Sequence, residues 1–436
     1  MQGLEMKNEH FLTGIAKFFL YLRIAFGVAG TYALKPKVFQ WSPIAYLIFL
    51  KRALRLLLVF RHHKAVLTGR GHKLDLYLPA YPSRAFYWAL ENKLLRTPPG
   101  PVTVVFSMTK ACPYRCSHCY QRKDENRELD ESVMSETARQ LQEMGVAMFD
   151  IEGGEPFTRF PRLLKLIKNL DKRSELWINT TGAGMKPGML EQLKQNGLTG
   201  LMVSIHSPDP FIHDRLTGVP GSFHTACETI RQCRILKLMA AVNSVLSEEE
   251  IRTGGLDRLM VLARELDADF VQLIHPKPAG MWLGRHESMQ RDQGLLDFIR
   301  MEYKRFHNRK HKDFPSLAAQ VVEESEYMLG CTAGGVDRFY INASGEIQPC
   351  EFLNISFGNV REEPLPVIFK RMRVAFRVPA CDWLCCMQGE NIAELIREHG
   401  ISITPLPWPI TQKLIEKWDR GPATPLYQKL GIYGDK

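Results

Sequence analysis

The residues of this 436-residue chain that could do chemistry gather in short stretches, and the densest is ACPYRCSHCY at residues 111–120. Cys112, Cys116 and Cys119 are separated by three and then two residues, so one loop can turn all three thiolates onto a single soft metal centre. Three local ligands leave one iron of a four-iron cluster without a protein donor, and a cofactor or substrate would bind there. A ferredoxin-type carrier would bring a fourth cysteine followed by proline. Zinc would want a closed tetrahedral set, which His118 could complete only from its awkward place beside Cys119.

Gly153, Gly154 and Glu155 form a second stretch, in which glycines permit close backbone approach to a ligand beside a carboxylate. Asn179, Thr181, Ser204, Asn243 and Ser244 add amides and hydroxyls, and any one of these serves equally as a strand-end cap or turn residue. The other cysteines fall at 331 and 350 and in the segment 381–386, clusters that favour metal ligation in a reducing compartment over disulfides. Cys227 and Cys233 sit in a helix-like segment and read as ordinary buried thiols.

These stretches must be positioned by something regular. From Val102 the chain alternates short apolar runs with amphipathic ones: VTVVFSM, AMFDIEG, LWINTTG, LTGLMVSIH, AAVNSVL and DFVQLIH, each parted from the next by a helix-length segment. Six such strands predict βα units and a parallel sheet, closed as a doubly wound sheet or as a barrel. In a barrel, ligands bind in the loops after the strands. The cysteine loop, GGEP, NTTG and SIHSPDP each follow one strand of the series. A long helical stretch begins at Met289, and FYIN with EIQPC predicts a small hairpin turning at NASG. LRTPPGP at 95–101 reads as a linker. The expected divisions are a helical N-terminal region at 1–98, a core at 99–312, a cysteine-bearing module at 313–400 and a tail at 401–436.

The net charge of +10 is a local property. Between His10 and Leu74 there is no acidic residue, while Lys17, Arg23, Lys35, Lys37, Lys51, Arg52, Arg55, Arg61, Lys64, Arg70 and Lys73 are basic and the surrounding residues are apolar. Elsewhere the charges nearly cancel, so nucleic-acid binding is not expected. The apolar runs are interrupted before the ~20 residues a spanning helix needs. They predict interfacial helices on an anionic membrane surface, with a helical extension packed on the core as the alternative.

The motif Cys-x3-Cys-x-aromatic-Cys at Cys112, Cys116, His118 and Cys119, followed one strand later by GGEP, resembles the radical S-adenosylmethionine (radical SAM) family over about residues 100–280. HDRLTGVPGSF at 213–223 supports the same alignment. The resemblance implies a partial (β/α)6 TIM-like barrel, a [4Fe-4S] cluster on the three cysteines, and SAM on the open iron. Reductive cleavage of SAM would then give a 5′-deoxyadenosyl radical that abstracts hydrogen. It also implies that Glu155 with Gly153 and Gly154 holds the methionine ammonium, and that Asn179, Thr181, Ser204 and Asn243 contact the SAM carboxylate and ribose. His118 replaces the usual Tyr or Phe beside adenine, and Tyr120 is expected to meet adenine through its backbone.

Cys331, Gly345 and Cys350 are similar to the opening of a SPASM or twitch auxiliary-cluster domain. With five cysteines where a full SPASM module has seven, the resemblance implies one auxiliary [4Fe-4S] cluster on Cys331, Cys350 and Cys381, with Cys385 or Cys386 as fourth ligand; a structural zinc site is the alternative. The expected function is a radical SAM enzyme at the cytoplasmic face of a membrane, acting on a lipid, lipid-linked or other small-molecule substrate and reduced by a flavodoxin or ferredoxin. A peptide-modifying enzyme and a noncatalytic iron-sulfur electron-transfer or sensor protein are the alternatives.

Overall fold

The structure is a computed structural model that describes residues 10–96, 100–124, 127–285, 292–418 and 422–433. Residues 97–99 of the expected linker, and residues 289–291 of the expected long helix, lie outside the described residues.

In the N-terminal region, β1 (Phe11–Leu12) leads into α1 (Gly14–Ala33), followed by α2 (Pro43–Val59), β2 (Ala65–Thr68), β3 (Gly71–Lys73) and α3 (Arg84–Leu94). Leu20, Ile24, Val28 and Tyr32 recur at helical spacing and bury one stripe of α1 against Phe49, Ala53 and Leu56 of α2 and Phe86 and Leu90 of α3. Ser42 and Ser83 start α2 and α3, their hydroxyls accepting from Ala45 N and Phe86 N. The region is not wholly helical, unlike the helical region expected at 1–98 from its composition. β1, β2 and β3 form an antiparallel sheet, because the β-branched run after Lys64 turns at Gly69–Gly71.

Six runs of the series form β4 (Thr103–Ser107), β5 (Met148–Glu152), β6 (Glu175–Thr180), β7 (Gly200–Ser204), β8 (Met239–Ser244) and β9 (Phe270–Leu273), all parallel. Helices at Glu131–Glu143, Phe160–Lys168, Met189–Gln195, Ser222–Ile235 and Gly255–Glu265 connect them, giving the α/β partial TIM barrel. The sheet extends further than the sequence predicts. β10 (Ser316–Ala319) adds in parallel beyond β9. On the other edge β11 (Arg338–Ile341) pairs in parallel with β4, and β12 (Ile347–Gln348) completes the expected hairpin, making nine strands.

The N-terminal sheet closes one end of this barrel. Met148, Trp177, Met202, Met239 and Phe270, pointing inward near the starts of their strands, pack with Val66 and Leu76 and with the partly buried Phe11 and Tyr77. Lys73 reaches Glu175 at 2.7 Å, both side chains fully buried, and Ala80 N donates to the same carboxylate at 2.6 Å.

This arrangement also changes the reading of the basic window. Lys17 Nζ donates to the carbonyls of Phe60, Arg61 and His63, and burial lowers its pKa to about 7. Lys64 donates to His311 O and Phe314 O, Arg70 to Ser174 O and Gly197 O, and Arg52 and Arg55 to carbonyls of the helix Pro425–Leu430 and its end. Many of these cations hold the fold together and do not stand free for headgroups. α1 is nonetheless one continuous helix, long and apolar enough by length and composition to cross a bilayer. Its outer face exposes Ile15, Phe18, Phe19 and Phe26, and α2 exposes Ile44, Leu47 and Ile48 beside it.

Candidate active site and second thiol cluster

The cysteine loop leaves the C-terminal end of β4 and is held on two sides. Arg115 N and Ser117 N donate to Thr217 O and Leu216 O at the end of the helix Pro210–Thr217. On the other side, Gly154 N and Glu155 N donate to Thr109 O and Ala111 O, both at 2.7 Å. A Cβ on Gly153 would stand 2.3 Å from Thr109 O, and one on Gly154 would stand 2.4 Å from Ala111 O. The paired glycines thus admit the backbone of the cysteine loop, a role the sequence reading assigned to ligand approach.

Cys112, Cys116 and Cys119 all line one cavity of about 420 Å3 at this end of the barrel. Burial pushes the thiol of Cys112 up to about 11 and that of Cys116 to about 12, and it raises Cys119 as well. Thiols so placed ionise when a cation sits against them. Among the described residues, no three thiols lie within the 4.8 Å that a single ion asks of its ligand atoms, so the spacing suits a larger metal cluster better than one zinc ion.

Of the residues expected around SAM, Gly153, Gly154, Asn179, Thr181, Ser204, Asn243, His118 and Tyr120 line the same cavity. Asn179 Oδ1, Asn243 Oδ1, His206 Nδ1 and Asp150 Oδ1 are buried there with no hydrogen-bond partner, which fits a ligand rich in polar groups. Glu155 does not face it. Its carboxylate accepts from Thr180 Oγ1 and Thr181 Oγ1 at 2.6 Å, Thr181 N at 2.7 Å and Phe157 N at 3.1 Å. Those donors occupy the carboxylate expected to meet an ammonium, and they engage the Thr181 hydroxyl too. Ser244 Oγ is fully buried without a partner.

Glu152, the residue immediately before the glycines, lines the cavity. It accepts from Tyr120 Oη at 2.6 Å, Gln121 Nε2 at 2.7 Å and Asn179 Nδ2 at 3.2 Å, and burial raises its pKa to about 8. Gly280 presses on the Tyr120 backbone, a Cβ there standing 2.3 Å from its Cα, so that backbone is already covered on one side. His118 Nε2 meets His206 Nε2 at 3.1 Å, away from the thiols, and its ring lies 5.6 Å from Trp282. Burial lowers His118 to about 4 and leaves it a neutral aromatic wall. Asp150, Glu152, His206, Gln272 and Arg338 were not singled out from sequence. Asp150 and Glu152 stand two apart in a strand and so share its inner face, a signal that was available.

Cys331, Cys350 and Cys385 line a second, small cavity with Glu324, Arg338 and Trp383. Cys331 pairs through its backbone with Ala380, at 2.8 and 3.1 Å. Cys386 is half-buried and hydrogen-bonds Cys385. Cys381 does not line this cavity, so the structure gathers Cys385 ahead of Cys381, unlike the expected order. Lys277, Gln320, Arg338 and Phe352 belong to the walls of both cavities, which makes the two thiol sets neighbours.

Residues 106–273 match the Radical SAM superfamily, and residues 331–387 match the iron-sulfur cluster-binding SPASM domain. A PqqA peptide cyclase of Xanthomonas oryzae pv. oryzae is 27% identical over 306 residues, covering 66% of this chain and 80% of its own length. An AdoMet-dependent heme synthase of Methanosarcina barkeri is 21% identical over 63% of this chain and 84% of its own. The SAM-bound structure of SuiB from Streptococcus suis superposes with a TM-score of 0.52 at 16% identity, covering 66% of this chain and 68% of that one, which speaks to the fold. The chain belongs to the radical SAM superfamily and carries a C-terminal SPASM domain. It is a radical SAM enzyme whose cofactors are SAM, a SAM-binding [4Fe-4S] cluster and an auxiliary cluster.

Proposed function

We propose that Cys112, Cys116 and Cys119 hold the SAM-binding cluster and that the polar atoms of Gly153, Gly154, Asn179, Ser204 and Asn243 hold SAM, with His118 and Tyr120 beside the adenine. The observation that carries this is the convergence of three thiols and several unpartnered buried polar atoms on one cavity at the C-terminal ends of the strands. Together, bound SAM and the reduced cluster supply a 5′-deoxyadenosyl radical for hydrogen abstraction. The chain's part is placement: Glu152 fixes Tyr120, Gln121 and Asn179, and the neutral His118, His206 and Trp282 exclude water. Cys331, Cys350 and Cys385, with Cys386 or Cys381, would hold the auxiliary cluster, which would supply an electron acceptor in a cavity that shares walls with the first. A flavodoxin or ferredoxin supplies the initial reduction.

A peptide is the substrate class best supported, because PqqA peptide cyclase is a relative across most of the core and SuiB, which has this fold, is also solved with a precursor peptide. A membrane-presented substrate is the second reading, and it rests on the exposed apolar faces of α1 and α2. With so many cations engaged internally, that seat would be apolar, on the cytoplasmic face.

Anaerobically reconstituted protein given SAM and dithionite should form 5′-deoxyadenosine. The Cys112→Ala, Cys116→Ala, Cys119→Ala variant should lose that product while keeping the iron of the auxiliary site; bound clusters without SAM cleavage would leave only an electron-transfer or sensor role. Flotation with vesicles of neutral lipid, in low and high salt, tests the second reading. Binding should persist at high salt, and a protein that stays unbound has no apolar membrane seat.

A further inference from the structure

His63, Asp75 and Glu323, none of which lines either thiol cavity, bring one ring nitrogen and two carboxylate oxygens within 4.8 Å of one another, all three residues buried. They come from separate parts of the chain. His63 follows α2, Asp75 follows β3, and Glu323 ends the short helix Gln320–Glu323 after β10. Asp75 Oδ1 accepts from Tyr77 N at 2.8 Å, but Asp75 Oδ2, 3.4 Å from His63 Nδ1, has no hydrogen-bond partner, and neither has Glu323 Oε1.

Tyr303 and the Ala319 backbone hydrogen-bond the Glu323 carboxylate, but two buried carboxylate oxygens that lie side by side without donors of their own are costly unless a proton or a cation stands between them. The imidazole decides between these. His63 Nε2 is bonded to Tyr303 Oη, and its ring stacks on His307 at 5.1 Å, so Nδ1 is fixed toward the carboxylates. A metal-binding histidine is oriented by such a bond from its other nitrogen. Asp75 and Glu323 also border a cavity of about 80 Å3, room enough for water to complete a coordination sphere.

We propose that His63 Nδ1, Asp75 Oδ2 and Glu323 Oε1 form a binding site for one divalent transition cation of the zinc or manganese type. One imidazole with two carboxylates and water is a donor set these ions accept. The ion would tie the N-terminal region to β10, independently of the iron sites and of the substrate reading above.

Cluster-loaded protein, stripped with EDTA and titrated anaerobically with zinc chloride or manganese chloride against a chromophoric chelator, should bind one equivalent. His63→Gln and Glu323→Gln should abolish this binding with iron content and 5′-deoxyadenosine formation unchanged. Tyr303→Phe, which keeps the ring, should weaken it roughly 10–100-fold. Wild-type protein that takes up neither ion overturns the proposal, whatever the variants do. Binding that survives in both His63→Gln and Glu323→Gln overturns it equally. If Glu323→Gln is as stable as wild type and neither ion binds, a shared proton occupies the site.

Discussion

Gly154 shows how one missing methyl positions an iron site. Alanine there would set a Cβ 2.4 Å from Ala111 O, one residue before Cys112, and a backbone neighbour yields little. Gly154→Ala should cost about 1–3 kcal/mol of stability by overpacking. Iron per chain should fall by one cluster while the auxiliary site stays loaded, as iron analysis and a thermal melt would report. Asp150 gives a pH test. Burial, with the Glu351 charge second, raises its pKa from 3.8 to about 7. Between those values the folded protein holds a proton that the unfolded chain has released. Stability therefore falls as pH rises from about 4 to 7, by up to about 1.4 kcal/mol for each pH unit. Asp150→Asn should remove its share of that slope from a series of denaturant melts, leaving the share of Glu152, whose pKa is also raised. That Cys112, Cys116 and Cys119 share one cavity was legible in the sequence because they stand on one short loop. The surroundings of Glu155 were not, since its donors Thr180 and Thr181 come from the end of β6 and the loop after it and meet its carboxylate only in the fold.

Among elements, the N-terminal sheet diverges most from its sequence reading. Apolar and basic composition predicts helices throughout, and α1 and α2 do form, yet the run Ala65–Lys73 pairs as β2 and β3 and carries Lys73 to Glu175. β2 and β3 pair with each other as a local hairpin, but Glu175 lies 102 residues beyond Lys73, so no local period could show that ion pair. Lys73→Ala should destabilise the protein by about 3–5 kcal/mol, because Glu175 is left charged and buried. Lys73→Met with Glu175→Gln should recover most of that loss, since the amide oxygen still accepts from Ala80 N. Chemical unfolding midpoints of the single and double variants measure the coupling. The strands β4 to β9 were legible because each is a continuous apolar run between helical segments, the pattern of a sheet covered on both faces. β11 was legible as one strand of the hairpin, but its parallel seat on β4 was not, nor was β10, because each joins the sheet from far along the chain.

At the scale of the molecule, the N-terminal region is a floor for the barrel as well as a candidate membrane seat. Removing residues 1–96 would expose Met148, Trp177, Met202 and Phe270 together. Such a truncation should aggregate or bind hydrophobic dye strongly, and soluble, dye-silent protein from that deletion would show that the barrel closes by itself.

The parallel register of β11 on β4, Arg338 opposite Thr103 through Ile341 opposite Phe106, reaches further than bracing. One ladder of peptide hydrogen bonds sets both the strand that leads into Cys112 and the strand between Cys331 and Cys350. The separation of the two thiol sets is therefore tied to main-chain spacing, and under the proposed function so is the path of an electron between them. Surface loops can drift in evolution without detuning that transfer.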